Sequence, residues 1–484
     1  MLEAYFLDAR EHIWAEAKIT KDLFGVENVA HMGRAIRPGV AFGMSVRPYD
    51  GAAQPAATHG RIERKSIQPP DRPARMHSDS LFHVDLAAIA RNAAAFSRLV
   101  GPPTVCCGVV KSDAYGLGAR PVAETLTQAG MSLVAVFRVE EALDLLSSPL
   151  GRPVLILGAV RSLCPMHPLM PSLASGDVQL VVHDLSQLKE IGAVATSLPG
   201  PIQVHVMVDA GMRRGGCPPS EAPQLIEAAM QMPGIGLAGL MTHFTSAGTD
   251  AAATRAEQAV FSEIVDRIGR LPEGCRVHAA ATAATVRDPA YHQGMVRIGL
   301  GWVGCIPGDE ALSAAFGSQL SPAVRWRSSL RHVHHVQEGH AIGYGQRWRA
   351  KRDTRVGIVP VGYADGIPLA AGACDGCEGA RIAVVSSAGE RIAGYATVIG
   401  AVSMDQIAID LGDLPEVSAV EPGRAVEIIS ATHEGPTTLR NFAAACGITP
   451  HQLLASIGPR VRRVLVNREE TVSQTEAWHP AAAV

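Results

Sequence analysis

The sequence predicts an α/β protein in which a (β/α)8 TIM-type barrel is followed by a mainly β domain. From about Val105 to Ile298, short apolar runs alternate with helix-like stretches such as SEAPQLIEAAMQM and ATRAEQAVFSEIVDRIG. This alternation is typical of parallel strands joined by helical crossovers. Beyond about Ser321 the pattern changes to short alternating segments such as VRWRSSLRHVHHV and RIAVVSS, separated by glycine-rich turns. Such segments indicate a separate domain built mainly of strands.

The barrel follows from counting its strands in order. HVDLAAIARNAAAF predicts a first strand and helix, and RVRRVLV, after a helical interlude at residues 437–458, predicts the last strand. Between them, eight strand-and-helix units imply a closed barrel. Their strands are predicted to begin near Val105, Leu133, Val154, Val178, Ile202, Gly236, Cys275 and Met295.

The chain divides into four predicted segments. Residues 1–75 are expected to form an N-terminal extension, with a short amphipathic helix and then a proline-rich linker. We hypothesise that Met76 is the natural start. The barrel is assigned to residues 76–320, the β domain to residues 321–470 and a frayed tail to residues 471–484.

Composition limits the possible functions. The chain has 484 residues, 47% of them hydrophobic and 18% charged, which is enough for two or three domains with a substantial core. A formal net charge of −3 does not favour a nucleic-acid partner, and no apolar run reaches transmembrane length. The first residues lack the features of a secretory signal. The nine cysteines are scattered and odd in number, so we expect a cytoplasmic protein without a disulfide framework.

Lys111 is the first residue that suggests chemistry. It directly follows the apolar run VCCGVV, and the C-terminal ends of barrel strands carry the reactive groups of such enzymes. By itself, a lysine at this place is equally consistent with a solvated charge at a strand end. It is followed by SDAYGLGA, however, in which Gly116 and Gly118 permit a tight turn into the next helix.

Further phrases extend this observation along the chain. They are VVKSDAYGLGA around Lys111, VDAGMRRGG at 208–216, THF at 242–244, VHAAATAAT at 277–285, MVRIGLG at 295–301, IGYGQRW at 342–348, VGYADG at 361–366 and SMDQ at 403–406. Each phrase is weak alone, but the ordered set is specific. Through it, the chain resembles the alanine racemase family over roughly residues 80 to 467.

The resemblance implies an isomerase that interconverts L- and D-alanine, with a role in D-alanine biosynthesis and a small amino acid as substrate. Its cofactor would be pyridoxal 5'-phosphate, which serves as an electron sink when an α-proton is removed. Lys111 would hold the cofactor and act as the base on one face of the bound substrate. Tyr344 would act on the opposite face, donated across the interface of a homodimer with shared active sites. His243 and Arg297 would tune this tyrosine.

The resemblance also assigns the remaining contacts. Arg297 would face the pyridine nitrogen of the cofactor; because guanidinium only donates, this nitrogen would stay unprotonated. Arg214 would support the substrate carboxylate beside Met404, and Tyr363 would line the entrance. Arg213 replaces a usual glycine, which leaves open which arginine points inward. The cofactor-binding set is Lys111, Tyr115, His243, Thr282, Arg297, Gly299 and Leu300.

Three positions depart from the family pattern. Met207 stands where many members have a carbamylated lysine that holds the carboxylate-binding arginine. Ala281 replaces an asparagine, and Leu465 replaces a tyrosine that often closes the pocket. These changes predict tolerance of side chains larger than methyl. They also keep open a degenerate racemase that retains only the fold.

Other readings of the same sequence stay open. One is a decarboxylase or a D-amino-acid aldolase of the same architecture, which would need an acidic partner for the pyridine nitrogen. Another is a non-catalytic protein that only binds pyridoxal phosphate, although such proteins resemble a bare barrel. The pair Cys374 and Cys377 lacks the partner pair of a zinc site, so no metal is predicted. The family motif suggests Asp365 and Asp405 as structural or gating carboxylates, and the structural role is favoured for both.

Overall fold

The computed structural model describes residues 80–386, 391–415 and 419–467. The extension predicted for residues 1–75 and the tail predicted for residues 471–484 lie outside the described residues. Within the described part, no helix combines the length and apolar character needed to cross a membrane.

Eight parallel strands form the barrel sheet, and each begins within one residue of its predicted start. An isolated bridge between Ala281 and Arg297 brings the two end strands together. The predicted fold class is therefore confirmed for the barrel. The strands are β2 (Val105–Val109), β3 (Leu133–Val136), β4 (Val154–Ala159), β5 (Val178–Val182), β6 (Ile202–Met207), β7 (Ile235–Met241), β8 (Arg276–His278) and β9 (Met295–Ile298).

Helices follow the strands, and several begin at an aspartate that caps them. Asp85 accepts a hydrogen bond from the Ala88 amide at 3.0 Å, and Asp184 accepts one from the Gln187 amide at 2.8 Å. Such caps satisfy amides that have no partner inside the helix. The helices are α1 (Leu86–Val100), α2 (Ala119–Gln128), α3 (Val139–Leu146), α4 (Met170–Ala174), α5 (Leu185–Ala195), α6 (Ala222–Gln231), α7 (Ala251–Ile268), α8 (Thr282–Arg287), α9 (Leu300–Val303) and α10 (Glu310–Gly317).

An apolar cluster fills the interior of the barrel. It is formed by residues that alternate along the strands, as expected when every second side chain points inward. The cluster contains Met207, so this position is surrounded by apolar side chains. Its buried members are Cys107, Leu133, Ala135, Leu155, Val181, Met207, Met241 and Met295.

The second sheet has nine strands in the order β11-β14-β17-β16-β15-β18-β10-β1-β19. A separate hairpin pairs β12 (Ala341–Ile342) with β13 (Trp348–Arg349). This mainly β domain was also predicted. Its large sheet contains β1 (Leu81–Asp85), β10 (Val324–Ser329), β11 (His332–Val336), β14 (Thr354–Val359), β15 (Arg381–Val385), β16 (Ile392–Ile399), β17 (Ile407–Asp410), β18 (Ala425–Ile429) and β19 (Arg462–Val466).

Strand β1 corrects one detail of the sequence analysis. The sequence analysis placed this strand in the barrel domain, at residues 76–320. In the structure, β1 pairs antiparallel with β10 and parallel with β19 in the second sheet. Pairing between segments so distant in sequence depends on tertiary structure and leaves no local pattern. Since α1 follows β1 directly, the two domains are joined at the first described residues.

Two late helices and one disulfide complete the β domain. Helices α11 (Leu439–Ala445) and α12 (Pro450–Ser456) precede β19, in the region of the predicted helical interlude. Cys374 and Cys377 form a disulfide, which the sequence analysis did not expect. The other seven cysteines are unpaired.

Candidate active site

Lys111 lies directly beyond the C-terminal end of β2 and opens an unusual turn. Ser112, Asp113, Ala114 and Tyr115 all have left-handed backbone angles, with φ between 51° and 62°. The Lys111 side chain is half-buried at this turn. Burial lowers the pKa of the Lys111 amine, and the nearby charge of Arg214 lowers it further, while Glu141 acts in the opposite direction.

Tyr115 is fixed at the end of this turn by aromatic contacts from both domains. Its ring stacks on Trp302 with a centroid distance of 5.4 Å and an angle of 7° between planes. His451, from α12, meets it edge-on at 5.2 Å. Burial raises the pKa of Tyr115, so its hydroxyl stays protonated and can donate. Sequence reasoning had missed both neighbours, since neither lies in a phrase around Lys111.

The predicted phosphate contacts converge near this hydroxyl. A Cβ atom placed on Gly299 would lie 2.6 Å from the Tyr115 hydroxyl oxygen, so the bare glycine leaves the space between them open. The Thr282 hydroxyl accepts hydrogen bonds from the amides of Gly299 and Gly301 at 3.0 and 3.3 Å. Leu300 is buried beside them at the start of α9. Hydroxyls and backbone amides of this kind form phosphate sites.

Arg297 is buried on β9 and surrounded by acceptors that carry no charge. Its Nη1 donates to Nδ1 and the carbonyl oxygen of His278, at 2.8 and 3.2 Å. Its Nη2 donates to the carbonyls of Thr242 and Ala279 and to Nδ1 of His243, at 2.8 to 3.1 Å. Burial lowers the pKa of the guanidinium to about 10, which still leaves it charged near neutral pH. These bonds use Nη1 and Nη2, so Nε is the remaining N–H.

A chain of histidines continues from Arg297 into the barrel wall. Because arginine only donates, Nδ1 of His278 must accept, and its Nε2–H then donates to Nδ1 of His205 at 2.9 Å. Nε2 of His205 in turn donates to Oε1 of Gln179 at 2.8 Å. Burial lowers the pKa of His205 to about 3, so the ring is neutral. Sequence reasoning missed this chain, although both histidines stand on predicted barrel strands.

His243 lies close enough to Lys111, Arg214 and Arg297 to be affected by their charges. Burial and the charges of Arg297, Arg214 and Lys111 lower its pKa to about 3. Lys111, Arg214, His243 and Arg297 therefore share one electrostatic neighbourhood at the C-terminal end of the barrel. The adjacent Arg213 has a left-handed φ of 51° and donates its amide to the Asp209 carboxylate at 2.9 Å.

The residues predicted in the β domain are exposed in a single chain. Tyr344 is 75% exposed, Met404 is 52% exposed and Tyr363 is 45% exposed. The Tyr363 amide donates to the carbonyl of Ser403, next to Met404, at 3.0 Å. Exposed large side chains that lie next to one another, as Tyr363 and Met404 do, mark a surface that another molecule can cover.

Two aspartates of the β domain are linked by one arginine. Arg460 donates to both carboxylate oxygens of the buried Asp365, at 3.1 and 3.2 Å, and to Asp405 at 2.7 Å. Asp365 also accepts from the Gly362 amide at 2.8 Å. The carboxylates hold the Tyr363 loop in place, as the structural interpretation expected.

Comparison with known proteins identifies the family. The family model for the N-terminal domain of alanine racemase matches residues 84–307, and that for its C-terminal domain matches residues 323–465. The chain belongs to the alanine racemase family. It is 30% identical over 392 residues to alanine racemase 2 of Caldanaerobacter subterraneus subsp. tengcongensis, an alignment that covers 80% of this chain and 95% of that protein.

Solved alanine racemase structures match the fold over about four fifths of the chain. The enzyme from Streptomyces coelicolor A3(2) superimposes with a TM-score of 0.69 at 29% identity, covering 80% of this chain and 98% of that one. The enzyme from Bartonella henselae, solved with covalently bound pyridoxal phosphate, gives a TM-score of 0.68 at 23% identity, with 80% and 99% covered. The predicted fold class, a barrel followed by a mainly β domain, is therefore confirmed for both domains.

The three departures from the family pattern lie at different depths. Met207 is buried in the apolar barrel cluster, and these apolar neighbours would not stabilise a charged side chain at this position. Ala281 precedes α8 and caps it without a side-chain hydrogen bond. Leu465, on the edge strand β19, is 46% exposed. A side chain at this edge has room to be larger.

Proposed function

We propose that this protein is an alanine racemase that binds pyridoxal phosphate through Lys111 and works as a homodimer. The observation that carries the proposal is the environment of Arg297. This buried arginine contacts neutral imidazoles and carbonyls, where a decarboxylase would need an acid facing the pyridine nitrogen. The arginine beside His243 therefore favours a racemase over the decarboxylase alternative.

The residues present fit the cofactor. The hydroxyls of Tyr115 and Thr282 offer donors for a phosphate, in a space that a Cβ on Gly299 would fill. Lys111 supplies a partly desolvated amine, and Arg297 supplies an N–H for a ring nitrogen. When bound, pyridoxal phosphate delocalises the electron pair left after an α-proton is removed.

Lys111 and Tyr344 would move the proton. A lowered pKa gives Lys111 a larger neutral fraction, which a base requires. Inversion needs a second group on the opposite face, and we assign it to Tyr344 of a second subunit. The 75% exposure of Tyr344 supports this assignment, because a tyrosine that reaches the active site of another subunit must project from the surface of its own chain.

Arg214 would bind the substrate carboxylate near Met404 and Tyr363. Its charge reaches both Lys111 and His243. Since Met207 cannot supply an anionic support, Arg214 would form no ion pair with position 207. Its positive charge would then be available to the substrate carboxylate. Leu465 in place of a tyrosine would leave room beyond the methyl group, so we expect measurable racemisation of serine.

We also propose that the protein works in the cytoplasm and supplies D-alanine. Seven unpaired cysteines, five of them buried, suit a reducing compartment. The partly exposed Cys374–Cys377 disulfide lies in the β domain and would be reduced there without affecting the barrel.

A racemase assay tests the proposal. Purified protein is incubated with L-alanine and L-serine, and the D-enantiomers are measured by chiral chromatography. We expect cofactor-dependent D-alanine, a smaller amount of D-serine, and loss of both in Lys111→Ala. We expect Leu465→Tyr to lower the serine-to-alanine ratio of kcat/KM severalfold. Absence of any D-product from protein that holds the cofactor would refute the proposed activity.

A further inference from the structure

The turn that carries Lys111 is unfavourable by itself. Four consecutive residues other than glycine have left-handed backbone angles, and each costs about 1–2 kcal/mol relative to the right-handed region. Such a backbone persists only where surrounding contacts determine it. Within the turn, the Asp113 carboxylate accepts from the Ala119 amide at 2.6 Å, and Arg463 of β19 donates to the Gly116 carbonyl at 3.0 Å.

A third contact acts on the residue directly after the lysine. Oε1 of Glu141 accepts a hydrogen bond from the Ser112 amide, the residue directly after Lys111, at 2.7 Å. Oε2 of the same carboxylate accepts from the amides of Phe137 and Arg138 at 2.8 and 3.0 Å. One side chain at the start of α3 therefore ties the turn after β2 to the loop after β3. Hydrogen bonds to an ionised acceptor are stronger than neutral ones.

We propose that Glu141 is a positioning residue for Lys111: its carboxylate holds the strained turn through the Ser112 amide and places a negative charge beside that turn. The inference rests on the proposed role of Lys111 as the cofactor lysine. Glu141 acts through the turn and its charge, without touching the substrate.

The charges around Lys111 explain why such a group matters. Arg214, in the loop after β6, and burial both favour the neutral amine. His243, after β7, and His451, in α12, are held neutral by lowered pKa values of about 3 and about 4, so neither adds a positive charge beside the amine. Glu141 opposes Arg214 and favours the charged amine. It therefore limits how far the pKa of Lys111 falls.

Substitutions at Glu141 separate the two effects. Glu141→Gln keeps one oxygen for Ser112 but loses the charge and turns an NH2 group toward the Phe137 and Arg138 amides. Glu141→Asp keeps the charge with a shorter reach. Glu140→Gln is the matched control, because it removes the same charge from the exposed neighbouring residue of α3.

The full-length chain is stripped of cofactor, and the rate at which added pyridoxal phosphate becomes bound to Lys111 is followed by visible absorbance across pH. Circular dichroism verifies that each variant is folded. We expect Glu141→Gln to bind about 10- to 100-fold more slowly, as for loss of charge-assisted hydrogen bonds. Its pH profile should move to lower pH, and Glu141→Asp should restore the position of the profile but not the full rate.

Borohydride reduction and peptide mass spectrometry distinguish the possible failures. If the wild-type cofactor is found on a residue other than Lys111, the proposed function fails. If it is on Lys111, but Glu141→Gln matches wild type or Glu140→Gln, the positioning role is wrong. If Glu141→Gln does not fold, the Glu141→Asp profile decides: a shift away from the wild-type pH position overturns the electrostatic role.

Discussion

At the scale of single residues, an arginine fixes the protonation pattern around it. Arg297 can only donate, so the nitrogen of His278 that faces it must accept, and the same logic sets His205. Neutral rings result in both places. A carboxylate at position 297 would reverse this pattern, because it accepts where arginine donates.

Gly299 provides a prediction at this scale. In Gly299→Ala, the added Cβ would lie 2.6 Å from the Tyr115 hydroxyl oxygen. Tyr115 is held by Trp302 and His451, so it has little freedom to move away. We expect cofactor affinity to fall about 10- to 100-fold, by analogy with a lost charge-assisted contact, as measured by fluorescence titration. Gly317→Ala is the control, because the nearest neighbour of a Cβ added there is the Ser313 hydroxyl oxygen at 3.7 Å. Equal affinities in both variants would contradict this account.

At the scale of elements, the barrel strands carry an uncharged polar chain through an otherwise apolar wall. His205 on β6 and His278 on β8 are buried and bonded to each other. Each ring must be neutral, because one of its nitrogens accepts a hydrogen bond while the other donates one. The strands thus fold most stably when these rings are neutral.

Stability should therefore fall in acid. Folding lowers the pKa of His205 from 6.5 to about 3, so the unfolded chain takes up this proton first as pH drops. The contribution is fully present above about pH 6.5 and is lost toward pH 3, at about 1.4 kcal/mol per pH unit for one histidine. The pKa of His278 is also lowered and adds to the slope.

Urea unfolding of the holoenzyme between pH 7 and pH 5 measures this slope. We expect His205→Gln to reduce it by about 1 kcal/mol per pH unit. His433→Gln, at an exposed position, serves as the control and should leave the slope as in wild type. An unchanged slope in His205→Gln would show that this ring does not stay neutral in the folded protein.

At the scale of the whole molecule, the proposed catalytic groups lie in different domains. Lys111 is partly buried at the end of the barrel, whereas Tyr344 is 75% exposed in the β domain. Tyr363 and Met404 are exposed as well. This division suits a symmetric dimer in which each β domain completes the site of the other subunit.

Mixing two inactive variants tests that arrangement. Lys111→Ala and Tyr344→Phe are each expected to be inactive, but a heterodimer would contain one intact site. With random exchange of subunits, activity should recover to about a quarter of wild type, as a two-fold symmetric dimer requires. The control mixes Lys111→Ala with the double variant, which leaves no intact site. If both groups came from the same chain, neither mixture would regain activity.

The sequence determined the order and type of the elements. Alternating apolar runs placed the eight barrel strands to within one residue, because strands buried on both faces carry a local signal. The phrases around Lys111, Arg297 and Tyr344 indicated the family, since the groups that bind a cofactor are few and fixed in type. Their roles as site residues stay predictions that the experiments above address.

Only the tertiary structure decided how distant segments meet. It moved β1 into the second sheet, joined Cys374 to Cys377, and brought Glu141 to the amide after Lys111. It also placed His451 against Tyr115, across more than three hundred residues of sequence. Strand pairing, ring contacts and carboxylate bonds of this kind depend on spatial distance. A periodic pattern records which face of an element is buried, but not which other element covers it.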